Sequence, residues 1–312
     1  MIDIAYSVTE NYVDYCLVSV GSLLSIDHGQ GVRIHILSDT FSDDLKSKIS
    51  IFIKSRGGDV EFHVISDDFT KDLKLGVWTK HAWYRISLPE ILPDIQKILY
   101  VDVDIAFANS LKNIFALDLS GHSMAACMDV KAMDMEVYRR LNLPSDYRYV
   151  CSGVLMMNLE YMRENHTKDR ILDYARTNLE RLQSPDQDSI NAVCHDTMLQ
   201  LPLNYGVMDA FYRHEGFVRR YRKELVDASR NPVIIHYAGC PPWFAETTPH
   251  PMESYFWESA TKNNIRIQIK HWSYGLNRFK IYLKRALACC GVKRYACMKP
   301  VNLKRFIKEN DL

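Results

Sequence analysis

Two carboxylates one residue apart, Asp102 and Asp104, close the apolar run Lys97-Ile98-Leu99-Tyr100-Val101. Alternate side chains of an extended strand share a face, so the spacing predicts both acids on one side, with Val103 and Ile105 on the other. Held that close, they repel unless a cation or a shared proton sits between them. A second apolar run, Val233-Ile234-Ile235, also ends in a ligand-type residue, His236. Two carboxylates and an imidazole suit a divalent metal that keeps positions open for a substrate diphosphate. The nitrogen ligand favours Mn²⁺, with Mg²⁺ as the alternative. The triplet alone is weak, because Asp186-Gln187-Asp188 repeats it, and a lone histidine is more often a satisfied core residue than a ligand.

The elements that must position these groups alternate along the first half. Strands are expected over Ile2 to Val8, Val32 to Leu37, Val60 to Ile65 and Lys97 to Asp104. Between them lie helical patterns over Tyr12 to Ile26, from the N-cap Ser42 to Ser55, and over Thr79 to Ile91. Such alternation is the pattern of a mainly parallel sheet covered on both faces, whose ligands bind beyond the carboxyl ends of the strands. Further strands are expected at Met124 to Met128, Gly153 to Asn158 and Val233 to His236, and helices at 160 to 182 and 187 to 194. The segments 67 to 80 and 205 to 225 read as loops without a pattern.

With 312 residues, 47% of them hydrophobic and 25% charged, the composition is that of a globular protein and excludes disorder, collagen and coiled coil. Eight scattered cysteines lack a C-x-x-C pair and are expected to be reduced and buried, the Cys289-Cys290 doublet being the one that invites lipidation or redox chemistry. The start, Met1-Ile2-Asp3-Ile4, has no secretory pattern, and no apolar stretch reaches the ~20 residues of a spanning helix. A cytoplasmic protein is expected.

The net charge of +1 conceals a division: residues 262 to 311 carry thirteen Lys and Arg against Glu309 and Asp311, a local +11 that leaves the preceding residues at −10. The expected units are therefore a main domain, 1 to 260, and a basic helical tail, 261 to 312. In the tail, Leu276, Phe279, Leu283, Ala286, Leu287 and Cys290 recur at helical spacing among Arg278, Lys280, Lys284 and Arg285. That pattern suits an amphipathic helix on the anionic inner face of a membrane; the plainer alternative is a helix packed on the domain with a solvated basic face. Nucleic acid is not expected as a partner, since an acidic main domain repels it.

Seven stretches, in order, resemble the retaining glycosyltransferases of family 8, the group of the bacterial lipooligosaccharide galactosyltransferases and, more distantly, glycogenin. They are Asn11-Tyr12, Tyr84-Arg85, "LYVDVD", "ACMD" ending at Asp129, "SGVLMMNL" from Ser152, "DQDSIN" from Asp186 and "HYAG" from His236. The resemblance implies a single Rossmann-like α/β domain of the GT-A type with a mixed, mostly parallel sheet. It implies Mn²⁺ held by Asp102, Asp104 and His236, a UDP-sugar donor, and a glycolipid or polysaccharide acceptor as in lipopolysaccharide synthesis. Tyr12 would stack on uracil, with Asn11 positioning the nucleotide and Thr9, Val103, Ser152, Gly153 and Gly239 lining the donor site. Arg85 and Asp129 would contact donor sugar and phosphate, Asp186 would bind sugar hydroxyls, and Gln187 would lie under the anomeric carbon.

Departures from the family pattern are local. Cys151 stands where an Asn is common, and Thr9 where many relatives have an acid. After His236 the family's His-x-x-Gly-x-x-Lys-Pro-Trp is here His236-Tyr237-Ala238-Gly239-Cys240-Pro241-Pro242-Trp243, one residue shorter and without the lysine that neutralises the diphosphate. A cation from the basic segment Arg213 to Lys223, such as Arg219, Arg220 or Arg222, is expected to replace it. The sequence also admits two alternatives: a non-catalytic sugar-nucleotide-binding protein, and an aspartyl-phosphate phosphatase with Asp102 as nucleophile.

Overall fold

A computed structural model describes residues 1–75, 80–271, 273, 275–292 and 299–311. Among the described residues ten strands form two sheets: β1 Ile2–Ser7, β2 Val32–Ser38, β3 Asp59–Val64, β4 Lys97–Val101, β5 Ile105–Phe107, β6 Met124–Met128, β7 Val150–Asn158, β8 Met198–Leu201, β9 Val207–Met208 and β10 Ile234–His236. The large sheet runs β3-β2-β1-β4-β7-β6-β8, parallel except where β7 pairs antiparallel with β4 and β6. The small sheet is β5-β10-β9. The helices of eight residues or more are α1 Val13–Leu24, α2 Asp43–Lys54, α3 Thr167–Thr177, α4 Pro185–Cys194, α5 Glu215–Arg230, α6 Ser254–Lys262, α7 Gly275–Cys289 and α8 Leu303–Asn310. This is the mixed, mostly parallel α/β architecture that the resemblance implied.

The central strands read as unbroken apolar runs because both faces are covered: every residue of β1 but its last is buried. Helix α1 is apolar almost all round for the same reason. Its Cys16, Leu17 and Val20 face the large sheet, while Tyr15 and Val18 join the core under the small sheet. Wedged between the sheets, α1 delivers Tyr12 and Tyr15 at its amino end to the strands' carboxyl side. Ser42 caps α2 as expected, accepting from the Leu45 amide at 3.3 Å.

Four sequence expectations need correction. β4 stops at Val101, so Asp102 and Asp104 lie in a bend, not on a pleated strand. The bend exists because the chain leaves the large sheet there and enters the small one at Ile105. The helix over 79–91 is broken into His81–Tyr84, a 3-10 turn Arg85–Ser87 and Leu88–Ile91, Thr79 lying outside the described residues. Pro89 has no N–H for the Arg85 carbonyl, which is taken up instead by the Leu88 amide in the tighter turn. The helix over 160–182 divides at His166, whose φ of 48° is left-handed. The supposed loop 205–225 contains β9 and most of α5, whose alternation of Arg and aromatic residues obscured the helical period.

The tail also behaves in two ways. Residues 263 to 270 remain tied to the main body, through Arg56 Nε to Asn263 Oδ1 at 2.7 Å, Tyr15 Oη to the Gln268 carbonyl at 3.0 Å and a bridge pairing Lys270 with Phe244. Helix α8 packs on α5, with Phe306 edge-on to Tyr212 and Arg222 donating to the carbonyls of Asn310 and Glu309. Helix α7 turns Leu276 and Phe279 outward, 78% and 63% exposed, and fastens its other side by Arg278 to Glu246 and Arg285 to the Ala245 carbonyl. Among the described residues no helix is long and apolar enough to cross a membrane. The described cysteines are all free, five buried and the 289–290 doublet exposed; Cys297 lies outside the described residues.

Candidate active site

The cavity of about 560 Å³ at the carboxyl ends of β1 and β4 is lined by residues from both sheets, the α1 approach and the start of α4. In it the ligand atoms of Asp102, Asp104 and His236 all lie within 4.8 Å of one another. His236 Nε2 is 3.3 Å from Asp104 Oδ1, brought there by the antiparallel pairing of His236 with Ile105. Burial opposes charge on either group, but their mutual attraction outweighs it: the Asp104 carboxyl is held below its ordinary value and the His236 imidazole well above. The other ring nitrogen, Nδ1, meets the Cys151 thiol at 3.6 Å.

Asp102 is oriented through one oxygen. Its Oδ1 accepts from Tyr100 Oη at 2.9 Å and Arg85 Nη2 at 3.0 Å. Arg85 is buried, stacks over the Tyr100 ring at 4.4 Å, donates to the Ser152 carbonyl and stands 3.7 Å from Asp186. The remaining oxygen, Oδ2, faces His236 across Gly153. A Cβ at Gly153 would fall 2.3 Å from His236 Cε1 and 2.8 Å from Asp102 Oδ2, so the glycine keeps open the space where the three ligands meet. The arginine and the phenol thus fix the Asp102 carboxylate through Oδ1 and leave Oδ2 toward His236.

Pro185 opens α4 and sets the next group at its first turn. Asp186 accepts from Ser152 Oγ at 3.1 Å; burial pushes its carboxyl up, against the pull of Arg85. Gln187 accepts from the Ser152 amide at 3.0 Å and donates to Asp129 at 3.2 Å and Tyr149 Oη at 3.1 Å. Its amide is therefore fixed, and it borders the cavity. Asp129 caps its own 3-10 turn through the Lys131 amide. Asp188, the second acid of that triplet, does not line the cavity: it pairs with Arg140 at 2.8 Å and accepts from Tyr149 Oη and two backbone amides. The second triplet is thus divided, with Asp186 and Gln187 on the cavity and Asp188 turned into the fold.

Thr9, Tyr12, Arg85, Asp102, Val103, Asp104, Asp129, Ser152, Gly153, Asp186, Gln187, His236 and Gly239 all border the one cavity. Asn11 does not: it lies on the 3-10 turn Glu10–Tyr12 with its side chain exposed. The basic segment is also misplaced by the sequence expectation. Arg213 pairs with Asp209, Arg222 holds the end of α8, and Arg219 and Arg222 border a groove with Phe306 instead of the cavity. Helix α5 faces Arg219 and Arg222 toward α8, and neither they nor Arg213 border the cavity.

Other cations are at hand that the sequence reading missed. Lys270 Nζ sits 4.0 Å over the Tyr12 ring and 4.8 Å from that of Tyr15, and burial draws its ammonium down. Lys131 borders the cavity and donates to Ser184 Oγ at 2.6 Å. Trp243 borders it too, stacked on Tyr15 at 4.2 Å, its buried indole N–H without a hydrogen-bond partner among the described residues. Lys131 was two residues from a matched motif; nothing local marked Lys270, which arrives from the end of the chain.

A mixed sheet with a small second sheet at its carboxyl edge, and an acid-acid-imidazole trio in the crossing between them, make a fold of the GT-A type. The chain belongs to glycosyl transferase family 8, whose model matches residues 3–247, and it is a glycosyltransferase. It is similar to the lipopolysaccharide 1,2-glucosyltransferase of Escherichia coli K12, 23% identical over 253 residues covering 78% of this chain and 72% of that one. It resembles the lipopolysaccharide 1,3-galactosyltransferase of Salmonella typhimurium at 21% identity, with 91% of each covered. The general stress protein A of Bacillus subtilis is 26% identical over 60% of this chain and 67% of its own. The galactosyltransferase LgtC, solved with donor and acceptor sugar analogues, superposes with a TM-score of 0.75 at 20% identity, over 90% of this chain and all of that one.

Proposed function

We propose that the protein is a Mn²⁺-dependent, retaining α-glycosyltransferase that moves glucose or galactose from a UDP-sugar to a glycolipid or polysaccharide acceptor. The observation that carries this reading is the convergence of Asp102, Asp104 and His236 in a cavity that also holds Tyr12 and Gln187. The spacing and the two-oxygen, one-nitrogen donor set fit a divalent ion, and the Gly153 gap gives it room. Asp102, Asp104 and His236 would hold the ion, which would supply Lewis-acid stabilisation of the departing UDP.

This chain's own residues do the rest. Tyr12 offers a ring face to the uracil, and Thr9, Val103 and Gly239 flank the nucleotide. Arg85 holds Asp102 in place and, with Asp129 and Asp186, borders the sugar's end of the cavity. Lys270 takes the role of the lysine absent after Gly239, with its ammonium moving from Tyr12 toward the phosphates when a base stacks there. The Gln187 amide is a poor nucleophile, so the configuration is retained by attack on the face UDP leaves. The sugar C1 bond to phosphate oxygen breaks, the bond to the acceptor oxygen forms, and the departing phosphate takes the acceptor's proton. Hydrogen bonds aimed at the charge that develops in that ion pair are the main stabilisation available.

We further propose that the unit 261–312 brings the enzyme to the inner face of a membrane through α7. Its outward Leu276, Phe279 and Leu283, with Lys280 beside them, form the face that would meet anionic lipid.

Hydrolysis of UDP-glucose, UDP-galactose and UDP-N-acetylglucosamine, followed with Mn²⁺, Mg²⁺ or chelator, tests the main reading. Release of UDP from a UDP-hexose with Mn²⁺, with the sugar first appearing as the α-anomer, is expected; equal rates in chelator, or none with any donor under all conditions, would overturn it.

A further inference from the structure

Away from the cavity, one face of the large sheet carries a polar cluster where a core would ordinarily be. The parallel register sets Asp3 beside Arg33, His35 beside Glu61, and Leu37 beside His63, so that Asp3, Arg33, His35, Glu61 and His63 share that face across β1, β2 and β3. Asp3 lies four residues before Ser7, which borders the cavity, roughly 13 Å back along an extended strand. The cluster is therefore a separate location.

His35 is fully buried, and both its ring nitrogens are engaged. Nε2 is 3.0 Å from Asp3 Oδ1, and Nδ1 is 3.1 Å from His63 Nε2. A carboxylate at Nε2 takes the N–H there, which leaves the lone pair of Nδ1 facing His63. Glu61 Oε2 completes a triangle, 3.6 Å from His35 Nδ1 and 3.9 Å from His63 Nε2. A tetrahedral zinc ion with bonds of about 2.0–2.1 Å holds its ligand atoms about 3.3–3.5 Å apart. The observed 3.1, 3.6 and 3.9 Å bracket that edge, and the half-exposed Glu61 can shift by the difference. Arg33 supports the arrangement from outside, donating to Asp3 Oδ1 at 2.6 Å and to Glu61 Oε1 at 3.1 Å, the oxygen that does not face the rings.

We propose that His35, His63 and Glu61 are a second divalent-metal site, of the zinc class, with Asp3 as the carboxylate that orients His35 and a fourth position open to water. A simple hydrogen-bonded imidazole pair would need neither the third ligand at this distance nor the carboxylate behind His35. Two nitrogens and one oxygen select zinc over the harder ions suited to Asp102 and Asp104. Metal entry breaks only the His63–His35 hydrogen bond: the Nε2 proton of His63 leaves to solvent and Nδ1 takes one up, so neutral rings release no net proton. The ion ties the edge strand β3 to β2. Its effect is on the stability of that edge and not on transfer.

The test uses the full, metal-stripped chain carrying Asp104→Ala, so that the cavity site does not compete. Titration with Zn²⁺ against a chromophoric chelator should find one equivalent bound, and Co²⁺ should give the intense visible band of a tetrahedral site. Adding Asp3→Asn should weaken Zn²⁺ about 10–100-fold, the usual cost of losing a carboxylate behind a ligating histidine. Adding His63→Asn should weaken it further, abolish the cobalt band and remove the rise in Tm that Zn²⁺ confers on the parent. If His63→Asn does not fold, as judged by its metal-free melting, Glu61→Gln on the half-exposed side carries the same expectation. The proposal is overturned if the Asp104→Ala chain binds no Zn²⁺, or binds it equally with Glu61 or His63 replaced.

Discussion

Among the described residues, two clusters have the make-up of a metal site, and they differ in almost every other respect. Asp102, Asp104 and His236 lie where the chain crosses between sheets, around a gap kept by Gly153, in a cavity with aromatic rings and lysines near by. His35, Glu61 and His63 lie on regular paired strands, with Arg33 and Asp3 as neighbours. The irregular junction opens on a cavity beside its three candidate ligands; the strand face is set by the paired register of β1, β2 and β3. Ligand geometry alone does not separate a reaction centre from a structural clip, whereas the surroundings do.

The sharpest way to break this comparison is to remove one ligand from each. Asp104→Ala is expected to lower Mn²⁺-dependent donor hydrolysis at least about 100-fold, roughly 2.7 kcal/mol of transition-state stabilisation, while His63→Asn leaves turnover within about twofold. Comparable losses in both would erase the distinction. Gly153→Ala places a methyl among the ligands and should weaken Mn²⁺ binding while costing about 1–3 kcal/mol of stability from overpacking, read by metal titration and melting. Next comes Lys270→Ala, for which the donor KM should rise about tenfold, near 1.4 kcal/mol, with kcat little changed; Lys131→Ala should move donor KM less. An effect confined to Lys131 would transfer the diphosphate role to it.

The smallest effect concerns the other Asp-x-Asp triplet. Burial alone would raise the Asp188 carboxyl, but Arg140 and Tyr149 outweigh it and hold it below its ordinary value. Its contribution to stability is therefore present above the unfolded value of about 3.9 and is lost as pH falls through the lower folded one. Asp188→Asn should flatten that part of the acid limb in pH-dependent melting without altering metal affinity. A change in Mn²⁺ binding would instead bring Asp188 itself into the metal site.

Most strands of the large sheet were legible because burial on both faces leaves them as apolar runs, and the site motifs because they sit at the ends of those runs. What was hidden arose from long-range placement. The bend at Asp102–Asp104 depends on the small sheet, whose strands β5 and β9 are too short to carry a period. Lys270 reaches Tyr12 only because residues 263–270 fold back over α1, and Arg222 is drawn from the expected site by α8. His35, Glu61 and His63 come together by strand register, which no stretch of adjacent residues displays. Asn11, by contrast, matched a motif and yet turns to solvent.

The central claim is that the two aspartates and the histidine bind one ion through which the donor diphosphate is held. Calorimetric titration of UDP into the metal-stripped chain, with Mn²⁺ or with chelator, for the unaltered protein and His236→Ala, tests it most directly. The account predicts tight UDP binding only when Mn²⁺ and His236 are both present. UDP affinity that is the same in chelator, or undiminished by the histidine's removal, would contradict it.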